Sequence, residues 1–461
     1  MLFNSFQFAL FSPTLLLLYQ LCPTAWKRPL LLAASCIFYM AFIPAYILIL
    51  ILLIAVDYAA GILLETTAGG RRRAWMLLSL VANLSILGSF KYWNFAAMNL
   101  NESLGISNIP LLALALPIGL SFHTFQSLAY TIEVYRGRWP AERNLWRYAL
   151  YVLFFPQMVA GPIERPQGLL RQLQEGPQQS VAANAQGLRL MLLGFAKKLV
   201  IADRLAPFVN ETFDHAGDYL GPRLWLATFF FSIQIYCDFS GYTDIAQGLA
   251  RLLGYDLCVN FRRPYVALSL SEFWQRWHIS LSSWFRDYLY IPLGGNRKGP
   301  ARRTLNLLIT FLLSGFWHGA NWTFLLWGAL HGVGVAVENL LKPLVRLPAW
   351  LGWILTMIWV QICWVFFRAA DLKTACYVIW CGAQSGGAML GGNPQETLIN
   401  LTLAVALLLY QNAAERTTGE NAETLLAARP LVERHCFYVL LVLAILWMGR
   451  FSSSEFLYFQ F

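Results

Sequence analysis

Long apolar runs dominate the chain, separated by short polar stretches that are mostly basic. Runs at 5–22, 29–43, 45–64 and 74–93 are predicted spans, because a membrane-crossing helix needs about 20 mainly apolar residues. Further runs at 304–317, 321–341, 349–368, 372–390, 396–411 and 436–449 bring the total to roughly a dozen segments of spanning or near-spanning length. A hydrophilic stretch, Gln411 to His435, separates the last two.

Several segments break this rhythm. Leu111 to Val134 carries His123, Gln126 and Glu133, which predicts one face turned to the protein interior. Tyr151 to Pro166 is apolar but holds Pro156, Gly161, Pro162 and Pro166, so it is read as a re-entrant elbow instead of a spanning helix. Residues 167–186, rich in Gln and Ala, suit a surface loop or short interfacial helix. In Ile233 to Tyr255, Asp238 and Asp244 sit six apart, about 120° round a helix and not stacked; a paired-carboxylate hydrolase site is conceivable, but glycoside substrates would not reach it easily. Buried carboxylates usually need partners, and structural roles are favoured for both.

From Ser271 the pattern changes again. Trp274, Trp277, His278, Leu281, Trp284, Phe285 and Tyr288 recur at three- and four-residue steps, the period of an amphipathic helix. Trp and Tyr favour the headgroup level, so this helix is expected to lie near the cytoplasmic face as an interfacial anchor. Pro292, Gly294 and Gly295 end it, and a basic loop follows.

Composition fixes the class. Of 461 residues, 58% are hydrophobic and only 13% charged, half the charged share of a soluble domain, which indicates an all-α polytopic membrane protein read as one domain, 1–461. The net charge of +10 would fit a nucleic-acid binder, but the cations cluster in short loops: Lys27-Arg28, Arg71 to Arg73, Arg136 to Arg147, Arg262-Arg263 and Arg297 to Arg303. That is positive-inside topology, with both termini expected outside, and no basic-aromatic nucleic-acid module appears. The N-terminus reads as a retained first helix, since no charged n-region or small-residue cleavage site brackets it. Eight scattered cysteines form no C-x-x-C pair and support neither zinc nor a disulfide framework. No internal repeat marks an inverted-repeat transporter.

Candidate chemistry rests on two histidines in tryptophan-rich segments. His318 lies in Ser314 to Trp322, SGFWHGANW, where Gly315, Gly319 and Ala320 permit close approach of a neighbouring helix or a substrate. A neutral imidazole there can take a proton from a hydroxyl and return it to a leaving group. A buried histidine bonded to a backbone carbonyl is the competing reading, and at membrane depth the two weigh evenly. His278 could orient a polar donor entering from the cytoplasm, with Arg276 and Arg286 beside it; from spacing alone a solvated or helix-capping histidine is favoured. Trp274 and Asn321 join Arg276 and Arg286 as candidate donor-contacting residues. His123, His215, His331 and His435 receive no role, although His331 follows His318 in the next span. The P-loop, the G-x-S-x-G elbow and H-E-x-x-H are all missing, so ATP hydrolysis, serine esterase chemistry and zinc proteolysis lack support.

The strings FWQRWHISLSSWFRDYLYIPLGGNRKG and LLSGFWHGANWTFLLWGALHG together resemble the membrane-bound O-acyltransferase family, and within it the bacterial branch that O-acetylates alginate and cellulose. Leu116 to Gly137, Phe154 to Pro166, Tyr236 to Tyr255, Asn260 to Tyr265 and the terminal FLYFQF extend the resemblance. It implies a ring of transmembrane and re-entrant helices around a central tunnel, with His318 as the family's essential histidine and His278 as its second functional position. It also implies transfer of an acyl group, acetyl in this branch, from a cytoplasmic thioester such as acetyl-CoA towards hydroxyls of an exported polysaccharide or a periplasmic acetyltransferase partner. No resident cofactor is implied, and the setting is the bacterial inner membrane. A thioester is already activated, so the protein must mainly position two groups, manage one proton and limit water. The basic loop at Arg297 to Arg303 could attract the phosphates of coenzyme A, as positive-inside topology explains equally well. Three alternatives stay open: D-alanyl transfer towards teichoic acid, a small-molecule exporter, and a scaffold without acyl chemistry. Donor turnover separates the last two from the enzyme.

Overall fold

The computed structural model describes residues 1–384, 386, 389–390, 393–418, 429–451 and 456–457. Its regular structure among those residues is entirely helical. Among the described residues six helices are long and apolar enough to cross a membrane: Pro44–Thr66, Gly69–Leu104, Trp322–Leu341, Ala349–Arg368, Pro394–Arg416 and Leu431–Met448. The protein is therefore a multi-pass membrane protein. Six is fewer than the dozen apolar runs suggest, for a local reason. Phe6–Leu21 has 16 residues and Leu372–Gly382 only 11, below a full span, and Thr24–Met40 with 17 lies at its lower limit. Positions 385, 387 and 388 of the expected 372–390 run, much of the Gln411–His435 stretch and most of FLYFQF lie outside the described residues.

The chain forms two compact units, Met1–Met191 with Thr243–Cys258, and Leu192–Tyr242 with Val259–Phe461. In the first, a carboxylate pins three helices. Asp57, fully buried, accepts from Ser79 Oγ at 2.6 Å and from Asn83 Nδ2 at 2.9 and 3.1 Å, and Ser79 also contacts Thr131 Oγ1 at 3.0 Å. Helices Ile47–Thr66, Gly69–Leu87 and Leu120–Tyr135 are thereby joined through one set of charge-assisted bonds. The helix expected from Leu111 begins only at Leu120, and its His123, Gln126 and Glu133 are all buried. At the expected elbow residues 154–165 are non-helical, and only Arg165 among them is not buried. The 167–186 stretch resolves into a wide turn at Pro166–Leu170, a short helix Arg171–Glu175 and the start of a helix at Val181.

In the second unit the buried Lys198 ammonium bridges Asp203 at 2.9 Å and Asp238 at 2.6 Å. Asp238 also accepts the Leu457 backbone N–H at 2.8 Å. Asp238 is thus spent on holding chain segments together, as the favoured structural reading has it. The largest departure from expectation lies at 271–290. In place of one amphipathic helix there are two of seven residues, Leu270–Arg276 and Ile279–Phe285, followed by a π turn at Arg286–Tyr290. Most of the stripe is core, not anchor: Trp277, His278, Leu281, Trp284, Phe285 and Tyr288 are buried, and Trp274 is half-buried. Helical periodicity survives because both short helices turn the same side inward; the break between them leaves no Gly or Pro in the sequence.

Candidate functional site

The break falls at His278, which adopts φ 44°, ψ 54°. Only Arg263 shares a positive φ among the described non-glycine residues. The two sit on neighbouring segments stitched together by Arg262 N–H to Arg276 O at 2.9 Å and Ile279 N–H to Asn260 O at 2.9 Å. A left-handed non-glycine residue costs on the order of 1–3 kcal/mol and persists where its surroundings over-determine it, commonly at functional sites. What fixes His278 is Asn260. The Asn260 side-chain oxygen meets His278 Nδ1 at 3.0 Å and accepts from Ser280 Oγ at 2.9 Å and Ser280 N at 3.3 Å. An oxygen acceptor requires the proton on Nδ1, leaving Nε2 as the basic nitrogen. His278 is fully buried, against the expectation of a solvated ring, and burial pushes its imidazolium pKa down to about 3. It is therefore neutral near pH 7.

His318 is the last residue of the helix Gly299–His318 and is 5% exposed. That helix packs against Trp322–Leu341 at glycine contacts. A Cβ on Gly315 would meet Phe324 O at 2.2 Å, and one on Gly328 would meet Phe311 O at 2.3 Å. The small residues of the SGFWHGAN turn do serve close helix approach. Rings then surround His318: Trp317 at 4.8 Å, Trp327 at 5.0 Å and Phe367 at 5.4 Å between centroids. Trp317 is also 6.3 Å from the His278 ring, so both histidines belong to one aromatic cluster. Phe239 closes the far side of His278 at 4.7 Å.

Beside this cluster opens a cavity of about 720 Å³ whose wall includes Trp274, Ser282, Arg286, Arg303, Ser314 and Lys342. Ser314 is one turn before His318. Trp274 leads inward another way: its ring lies 5.7 Å from Trp327, and its indole N–H donates to His331 Nδ1 at 3.2 Å. His331, which sequence reasoning left without a role, is fully buried, parallel to Phe273 and 5.0 Å from Trp327. Accepting at Nδ1 places its proton on Nε2, which has no hydrogen-bond partner among the described residues. Its recurrence 13 residues after His318, on the neighbouring helix, was the available signal.

The charged candidates are differently engaged. Arg276 is paired with Glu272 at 2.7 Å and Glu415 at 2.9 Å, and Arg286 with its neighbour Asp287 at 2.7 Å while lining the cavity. Asn321 caps the helix Trp322–Leu341, accepting from Thr323 N at 3.1 Å, and donates to Ala370 O at 2.9 Å. Trp274 and Arg286 thus face the cavity, whereas the polar groups of Arg276 and Asn321 are occupied by protein partners.

The model of the membrane-bound O-acyltransferase family matches residues 140–378, which contain every residue of this cluster. A probable alginate O-acetylase of Pseudomonas aeruginosa is 40% identical over 88% of this chain and 79% of its own length. A peptidoglycan O-acetyltransferase of Helicobacter pylori is 36% identical over 82% and 79%. A teichoic acid D-alanyltransferase of Streptococcus thermophilus is 30% identical over 48% of this chain and 56% of its own length.

Proposed function

Since the chain belongs to the membrane-bound O-acyltransferase family, we propose that it moves an acetyl group from a cytoplasmic thioester across the bacterial inner membrane. The acceptor is a hydroxyl of an exported polysaccharide, or of a periplasmic partner that completes delivery. The observation that carries this reading is the enclosure of His278 and His318 in one aromatic cluster beside a cation-lined cavity. Arg286, Arg303 and Lys342 suit the phosphates of acetyl-CoA or of another thioester carrier, with Arg286 the more solvent-facing member of its ion pair.

The chemistry then needs little beyond position and one proton. The acceptor hydroxyl attacks the thioester carbonyl; its proton passes to His318, the C–S bond breaks, and His318 returns the proton to the departing thiolate. His278, neutral and fixed by Asn260, presents Nε2 to the polar part of the donor. The ring walls hold water away from the thioester. The two O-acetylating relatives match over more of this chain than the D-alanyl-transferring one does, which supports acetyl over D-alanyl.

The test is polymer-bound acetyl ester in cells carrying wild type or His318→Ala, with membrane abundance of both measured. Loss of ester at normal abundance supports the reading. Persisting ester makes His318 structural and favours an exporter or scaffold. Absence of ester from both strains, with D-alanyl ester in its place, overturns the acetyl assignment.

A further inference from the structure

A second cavity, of about 520 Å³, lies wholly within the first unit and away from the histidines. The helix Thr24–Met40 forms one wall, with Arg28 and Pro29 at one end and Leu32, Ala33 and Cys36 beyond them. Trp146 and Arg147 close the opposite side. Cys36 is two turns from Arg28, so the apolar wall runs about 12 Å from the charged end along the helix. No carboxylate lines this space. Arg147 spends Nη1 on the buried Glu142 at 2.9 Å, but its Nε is buried with no hydrogen-bond partner among the described residues. Arg28 donates Nη2 to the Gln174 carbonyl at 3.2 Å, interacts with the Tyr255 hydroxyl, and makes no ion pair among the described residues. With Glu142 balancing Arg147, the mouth keeps the charge of Arg28.

Two further facts locate this mouth. Trp146, which lines the cavity beside Arg147, is 70% exposed, and Trp26, two residues before Arg28, is 65% exposed. Exposed tryptophans beside basic residues are the signature of headgroup depth, on the side where positive loops collect. Ile37, 55% exposed one residue past Cys36, continues the apolar face away from that level. Charge at headgroup depth with an apolar wall leading inward is complementary to a single amphiphile. We propose that this cavity binds one anionic phospholipid, its phosphodiester between Arg28 and Arg147 and the upper part of an acyl chain along Leu32, Ala33 and Cys36.

Native mass spectrometry of the full chain in detergent, with dioleoyl phosphatidylglycerol or dioleoyl phosphatidylcholine added, reads the site directly. Wild type is expected to retain one phosphatidylglycerol at roughly tenfold lower lipid concentration than phosphatidylcholine, since the uncompensated charge of Arg28 beside the Arg147 donors favours an anionic headgroup. Equal retention of the two lipids overturns the proposal. Arg28→Gln combined with Arg147→Gln brings phosphatidylglycerol down to the phosphatidylcholine level, while Arg71→Gln, an exposed cation outside the cavity, leaves the preference intact. Leu32→Trp keeps both charges and fills the wall, so it reduces retention of the lipid even where the double variant is too unstable to purify. Unchanged preference in the double variant, or unchanged lipid retention in Leu32→Trp, overturns the proposal. Glycerol phosphate in large excess is expected not to displace the lipid; displacement would make this a soluble phosphate site and overturn the lipid assignment.

Discussion

Asp57 and His318 are both polar side chains deep in a mostly hydrocarbon protein, yet they are treated in opposite ways. Around Asp57, hydroxyl and amide donors of a neighbouring helix converge on the carboxylate. Around His318 the neighbours are rings, with Trp317, Trp327 and Phe367 at 4.8–5.4 Å. A buried charge surrounded by donors has its partners already, and its task is to tie helices together. An imidazole walled by rings and standing next to a cavity is placed for proton transfer instead of tying helices together. The difference separates stability from chemistry, and each region can be broken without the other.

The largest effects fall on the two centres themselves. His318→Ala is expected to lower acyl transfer by about 10²–10⁴, the range of general acid–base catalysis, with thermal stability in detergent little changed. Asp57→Ala inverts that outcome: Ser79 and Asn83 lose their acceptor, at a cost of about 1–3 kcal/mol for the orphaned donors, while turnover per folded molecule stays near wild type. Transfer rate and melting temperature measured on the same preparations decide it. A variant pair in which both quantities fall together would abolish the distinction.

Smaller effects sharpen the comparison inside the aromatic cluster. Asn260→Ala removes the oxygen that orients His278 and both Ser280 bonds, so it is expected to cost roughly tenfold to a hundredfold in transfer through loss of positioning. Restoring an oxygen acceptor with Asn260→Asp should recover part of that rate, which a purely structural role would not. His331→Phe keeps the ring stack but leaves the Trp274 indole N–H without its acceptor. A fall of about tenfold is expected, chiefly in KM if Trp274 orients the donor in the cavity.

How much of this was legible in the sequence depends on distance along the chain. The Ala349–Arg368 span was readable to the residue, and the glycines around His318 announced close helix packing, because both signals are local. The two-helix break at His278 was not readable, since no Gly or Pro marks it and the three-four spacing of aromatics runs straight through. The partner that fixes it, Asn260, lies 18 residues away, and Glu415, which occupies Arg276, lies 139 away. Arg276 looked available for a donor because its sequence neighbours include only one acid that a helical turn would pair with it, Glu272. The Asp57 pin escaped notice for the same reason, its donors being 22 and 26 residues distant.

The smallest expected effect concerns pH and falls on stability. Burial holds the folded-state pKa of His278 at about 3, below its ordinary value of 6.5, so the unfolded chain binds the extra proton first as pH falls. The stabilisation from keeping this ring neutral is therefore complete above about pH 6.5 and declines as pH drops towards 3. His278→Gln cannot take up that proton. Its melting temperature should start below that of wild type at pH 7.5, through loss of ring packing with Phe239 and Trp317, and the gap should narrow towards pH 5. Asp57 variants should show no such narrowing from this ring, because His278 remains in place. A gap that stays constant from pH 7.5 to pH 5 would mean that the His278 ring reaches solvent and titrates alike in the folded and unfolded chain. The aromatic enclosure would then be looser than its packing indicates, and the contrast with the Asp57 region would lose its physical basis.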